Sequence, residues 1–106
     1  QQALGAIRVD EGIIDYITEI VGRTRGHRSV YLGASPRASI ALLKCARARA
    51  AANGREFVIP DDVKMLAPSI LRHRLLLHPD AEIEGTTPDD CVDGILREAV
   101  VPQTAA

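Results

Sequence analysis

The residues of this chain best suited to chemistry lie in Leu32-Gly33-Ala34-Ser35-Pro36-Arg37, just ahead of an apolar run that ends at Asn53-Gly54-Arg55. The order is a glycine turn, a helix start, and an arginine in the first turn of that helix. Ser35 suits the N-cap, where its hydroxyl can accept a hydrogen bond from an unpaired first-turn amide. Pro36 suits the next position, where a missing N–H costs nothing. Arg37 then stands at the positive end of the helix dipole, where a cation is disfavoured by about 0.3–1 kcal/mol. An anion bound there would offset that misplacement, since helix N-termini are ready-made phosphate sites. An arginine pointing into water fits the same spacing, and the motif alone leaves both readings open. Gly33 reads as a turn glycine rather than a direct ligand contact.

No complete reaction centre is legible. A nucleotide hydrolase needs a glycine-rich phosphate loop with its lysine, and an acidic magnesium ligand. Neither occurs in these 106 residues, and no nucleophile–base pair can be argued. His27, His73, His78, Cys45 and Cys91 fall into no metal-ligand spacing, so no metal is assigned. Asp61 and Asp62 are better explained as helix N-terminal acids than as a metal pair. Cys45 lies inside the apolar run and reads as a small core residue, with no disulfide to Cys91 expected.

Helices must position these groups. Ile13, Ile17, Ile20, Val21 and Thr24 repeat at helical spacing, which predicts a first helix from about Asp10, its cap, to Thr24, with Gly26 as the stop. Glu19 and Arg23 lie four apart in the favourable orientation for an ion pair. Ser29 to Leu32 reads as extended chain or loop. The second helix, Pro36 to about Ala52, is apolar almost all round, which predicts a central, buried position. At about 100° per residue, Arg37, Lys44 and Arg47 share a sector of about 80° that escapes the core. Gly54 suits the left-handed position after it. Arg55 to Ile59 reads as a strand-like connector. Pro60-Asp61-Asp62 opens a third helix from a poor cap, Ile59, and Pro68 predicts a kink or break in it. His78 to Gly85 reads as loop. Thr87-Pro88-Asp89-Asp90 opens a last helix that Pro102 ends.

Composition agrees with one small domain. Apolar residues make up 46% and charged residues 25%, ordinary for a globular chain. Tyr16, Tyr31 and Phe57 are the only aromatics, so aliphatic side chains must build the core. Apolar stretches are too short to span a bilayer, and no signal peptide is visible. The first residue is Gln1, not Met, which points to a piece of a longer protein. The net charge of −1 is unevenly spread. Residues 31–58 carry Arg37, Lys44, Arg47, Arg49 and Arg55 against Glu56 alone, while residues 59–106 are acidic. That balance argues against a nucleic-acid coat.

Leu32-Gly33-Ala34-Ser35-Pro36-Arg37-Ala38 resembles the sensor-2 motif of the MoxR family of AAA+ ATPases. Asp15-Tyr16-Ile17, Thr24-Arg25, Asn53-Gly54-Arg55-Glu56-Phe57-Val58, Pro60-Asp61-Asp62-Val63 and Leu71-Arg72-His73-Arg74-Leu75 follow the order of that family's C-terminal lid. The likeness runs from about Val9 to Arg74, more loosely to Pro102. It implies an all-α fold, a small bundle of four to five helices over about residues 9–102, with a disordered tail at 103–106. It implies that Arg37 is the sensor-2 catalytic arginine of the parent ATPase, and that Gly33, Ser35, Pro36 and Arg37 lie at the nucleotide. It places Arg72, His73 and Arg74 at an interface, although cations near a helix C-terminus need no such role; Arg25 reads the same way. ATP and Mg2+ would be bound by the full-length parent and by no fragment alone. Expected partners are the AAA+ core of the same chain, neighbouring subunits of a ring, and a von Willebrand A-type domain protein. Chaperone-like remodelling in the cytoplasm, with no nucleic acid or membrane, is the implied task. Two other readings are a free-standing interaction module with a histone-fold-like bundle, and a nucleic-acid binder using Arg37, Lys44 and Arg47.

Overall fold

The computed structural model describes residues 7–102; the expected disorder of residues 103–106 lies outside them. In chain order the elements are α1 (Glu11–Gly26), β1 (Val30–Leu32), α2 (Pro36–Ala52), α3 (Pro60–Leu71), β2 (Leu76–Leu77), α4 (Pro79–Ile83) and α5 (Pro88–Glu98). The all-α reading holds, with β1 and β2 added as a two-stranded antiparallel clip that sets Val30 opposite Leu77 and Leu32 opposite Leu76.

Each main helix contributes one buried face at helical spacing. Ile13, Tyr16, Ile17, Ile20, Val21 and Thr24 come from α1, and Ala38, Leu42, Ala46 and Ala50 from α2. Val63, Ala67 and Leu71 come from α3, and Cys91, Val92 and Ile95 from α5. α2 packs against α1 and α3, and α5 closes the bundle against the same two helices. Each fully buried aliphatic side chain contributes roughly 1.5–3 kcal/mol. The alanines of α2 present little bulk, so its neighbours can approach closely along an i, i+4 row.

That row corrects the expectation of a helix buried all round. Ile40 is 57% exposed and Cys45 is exposed rather than in the core, because the small bundle covers only one side of α2. Alanine at the outer positions costs nothing, being the best helix former. Cys45 and Cys91 are both free. Pro68 does not break α3, which runs on to Leu71. Only the last turn lies beyond it, and Val63, Ala67 and Leu71 hold that helix on the core. Residues 79–83, expected as loop, form the short α4, begun by Pro79. Asp10 and Ser35 occupy N-caps in extended conformation, but neither side chain makes the capping bond; the first-turn amides Ile13 and Ala38 bond instead to the cap carbonyls. Thr87 does cap α5, accepting from the Asp90 amide at 3.1 Å. Glu19 and Arg23 pair at 2.8 Å, as the spacing predicts.

The Ile59 cap, poor in sequence, is rescued by Asp62. Its carboxylate accepts from the Ile59 amide at 2.9 Å, and also from Arg55 at 2.7 Å on each oxygen and from Arg49 at 2.6 Å. Asp62 is wholly buried, so it is far more than an acid near a dipole. The triad ties α2, the connector and α3 together. Entry into the bundle is stitched to the same connector: the Arg8 amide donates to the Glu56 carbonyl at 2.8 Å, and the Val58 amide to the Arg8 carbonyl at 3.0 Å.

A second polar lock fixes the start of α2. The buried Thr24 hydroxyl donates to the Val21 carbonyl at 2.6 Å and accepts from the Ala34 amide at 2.9 Å. Arg25 reaches across to donate to the Ala34 carbonyl at 2.8 Å. Both ends of that residue are thereby held by the last turn of α1. Gly33 makes this possible: a Cβ there would lie 2.7 Å from the backbone N and Cα of Arg25. Its φ is not left-handed, so close approach, not a turn, demands glycine.

Two outcomes are expected from these locks. Burial alone would raise the Asp62 carboxyl, but the Arg55, Ile59-amide and Arg49 hydrogen bonds outweigh it and hold the carboxyl below its ordinary value. The stabilisation is therefore complete above the unfolded value near about 3.9 and is lost as pH falls through the lower folded value. Asp62→Asn should cost about 3 kcal/mol, because it leaves two arginines without their charge partner. It should also flatten the acid limb of the melting profile, checked by circular dichroism melts between neutral and strongly acid pH. For the second lock, Thr24→Val and Gly33→Ala should each lower stability by about 1–3 kcal/mol in denaturant titrations. The first strands a buried amide and the second drives a methyl into backbone.

Candidate functional site

With Ala34 held by α1, the next three residues turn outward. Ser35, Pro36 and Arg37 are exposed, and Gly33 is half-buried against the end of α1. Arg37 lies in the first turn of α2 and lines a cleft of about 520 Å³ with Ile40, Ala41 and Lys44 of the same helix. Arg74, just beyond the end of α3, forms the remaining wall. Three cations from two parts of the chain thus border one open space.

The electrostatics of this cleft are one-sided. Among the described residues, none of Arg37, Lys44 and Arg74 forms an ion pair. Arg74 donates its Nε to the Ile70 carbonyl at 3.1 Å, which caps the end of α3 and spends only one of its five N–H donors. Guanidinium and ammonium groups supply donors alone. Like charges gathered without an acid repel one another, and a multiply charged anion is the ligand class that relieves such a cluster. Divalent metal has no home among the described residues, where no group of three or more His, Cys, Asp or Glu could hold one.

Other sequence-identified cations separate from this cleft. Arg72 is bound twice, at 3.1 Å, by the Asp89 carboxylate and so links the end of α3 to α5. His73 is exposed. Arg25 belongs to the Ala34 lock. Arg49 and Arg55 belong to the Asp62 triad, which removes two of the five bases in the stretch that reads as basic. Arg47 keeps its place on the stripe, half-buried, with Nε lacking a hydrogen-bond partner. The sequence singled out the 72–74 run as a block; only the fold sorts it into one paired arginine, one solvated histidine and one cleft arginine. The triad and the Thr24 lock gave no periodic signal, since their members stand 7, 10 and 13 residues apart.

Comparison with known proteins places this architecture. The AAA lid domain family matches residues 22–95. Over 102 residues, 96% of this chain, it is 48% identical to the uncharacterized protein YeaC of Bacillus subtilis (strain 168) and covers 32% of that protein. It is 36% identical over 107 residues to Chaperone MoxR1 of Mycobacterium tuberculosis, covering 92% of this chain and 28% of the relative. A crystal structure of a "putative ATPase" from Cytophaga hutchinsonii superposes with a TM-score of 0.90 at 33% identity, over 96% of this chain and 34% of that one. The chain therefore spans about a third of the length of its relatives. With the bundle and its family match in agreement, the chain belongs to the AAA lid domain family and is the lid of a MoxR-type AAA+ protein.

Proposed function

We propose that this lid supplies Arg37 as the sensor-2 arginine of its parent ATPase and couples ATP hydrolysis to chaperone-like protein remodelling. The observation that carries the reading is the cleft: Arg37 opens onto a space bordered by Lys44 and Arg74, with no ion-paired acid among the three. That donor set fits the terminal phosphates of ATP, and Gly33, Ser35 and Pro36, which precede Arg37 in the chain, are the further residues this reading assigns to the nucleotide. Mg2+ would be held by the parent's AAA+ core, which would also contribute the phosphate loop.

Arg37 has two tasks in this mechanism. Its planar fork can donate two parallel N–H bonds to phosphoryl oxygens, and a charge so placed stabilises what develops on them during transfer. The same contact is lost with the terminal phosphate, so the position of the lid reports the state of the nucleotide. The Thr24–Arg25–Ala34 lock would make the report mechanical, because it ties the backbone three residues before Arg37 to α1. Neighbouring subunits of a ring and a von Willebrand A-type protein are the partners this coupling would serve, in the cytoplasm. No helix among the described residues is long and apolar enough to cross a membrane.

In the full-length parent, Arg37→Ala should reduce turnover ten- to a thousand-fold, a barrier increase of roughly 1.4–4 kcal/mol. The melting temperature of the lid should hold or rise slightly, since a cation leaves the positive end of a helix. Arg37→Lys should recover part of the loss, as a point charge replaces a fork. Steady-state hydrolysis and thermal melts check all three; turnover at the wild-type rate in Arg37→Ala would leave Arg37 as ordinary surface charge.

A further inference from the structure

We infer that Arg74 is a second phosphate-contacting residue of the Arg37 cleft, acting from the turn that follows α3, and that Lys44 draws the anion in without holding it. The inference rests on the nucleotide reading of that cleft and extends it to a residue outside α2.

Four arginines, Arg23, Arg49, Arg55 and Arg72, each face a carboxylate within 4.0 Å. Arg74 stands two residues from Arg72, at the same helix end, yet borders the cleft that contains Arg37 and Lys44. A structural arginine at a helix C-terminus has no need of two like charges beside it, and the dipole alone would accept it in any direction. Here the bond from Nε to the Ile70 carbonyl pins the inner end of the side chain. Its four remaining N–H donors are left for another acceptor. Fixing the stem in advance lowers the ordering cost of a new contact.

Lys44 differs in both position and chemistry. It stands two turns along α2 from Arg37, about 10 Å by helical rise. It is exposed on a flexible stem, and an ammonium lacks the fork that matches phosphate. Its contribution is therefore long-range attraction, which salt screens. Arg37 opens α2 and Arg74 follows α3, so an anion held by both would join the start of α2 to the turn after α3.

The test uses the full-length parent and measures affinity for the β,γ-imido analogue of ATP and for ADP by calorimetry, alongside steady-state hydrolysis. Arg74→Ala and Arg74→Gln should each weaken analogue binding by ten-fold or more, and ADP binding by less, while the lid stays folded and melts only slightly lower through loss of the exposed bond to the Ile70 carbonyl. Arg74→Lys should recover part of the affinity. Lys44→Ala should weaken binding two- to three-fold at low salt and not at all at high salt. Arg23→Ala, which removes a cation from an exposed ion pair outside the cleft, controls for net charge. Normal analogue affinity in both Arg74 variants, with turnover still lost in Arg37→Ala, would overturn this inference and leave the sensor reading standing. Loss of affinity in the Arg74 variants with full turnover in Arg37→Ala would support the cleft as the phosphate site and remove the sensor role. An equal loss in Arg23→Ala would show a charge effect only and overturn the inference.

Discussion

One residue held at both ends organises the face of this lid that carries Arg37. The amide of Ala34 is taken by Thr24 and its carbonyl by Arg25, and Gly33 is the residue small enough to let the two strands of backbone meet. Everything downstream inherits that placement. α2 starts where the lock releases the chain, Arg37 sits in its first turn, and the buried row Ala38, Leu42, Ala46 and Ala50 sets the rotation that turns Arg37 outward. An arginine at the wrong end of a helix dipole is tolerable in such a frame because the frame, not the arginine, carries the stability.

A second principle is the sorting of positive charge. Buried carboxylate is expensive unless fully bonded, and Asp62 is bonded by two guanidiniums and an amide. Arg72 is bound by Asp89 at the surface. Arg37, Lys44 and Arg74, which border the cleft, form no ion pair among the described residues. Local excess of bases in the sequence gave no hint of this division, because pairing is a property of distance in space.

The helices were legible because their apolar periods were regular, and the connector at 55–59 because Phe57, Val58 and Ile59 are β-branched or aromatic. Cys45 was misjudged for a definite reason: alanine-rich helices look uniformly apolar, and only the number of neighbours decides which side is covered. Residues 79–83 were misjudged because five residues contain too little period to read. Pro68 forfeits one helical bond, but the burial of Val63, Ala67 and Leu71 on either side of it holds the helix together, which no local pattern reveals. Ser35 and Asp10 have the right identities for caps, yet the cap carbonyls do the bonding, a matter of side-chain rotation that no spacing encodes. Arg37 was visible as a misplaced cation, whereas Arg74 needed the third dimension, since 37 residues of chain separate the two.

The stitch between Arg8 and the connector has a mechanical meaning. Those two backbone bonds run in parallel register, from Arg8 to Glu56 and from Val58 to Arg8. Traction on the entering strand therefore loads the connector in shear before it reaches α1. The connector leads into Asp62 and α3, and Arg74 follows just beyond that helix. The same carboxylate grips Arg49 of α2, so a load entering at Arg8 is shared between α2 and α3 through one buried side chain.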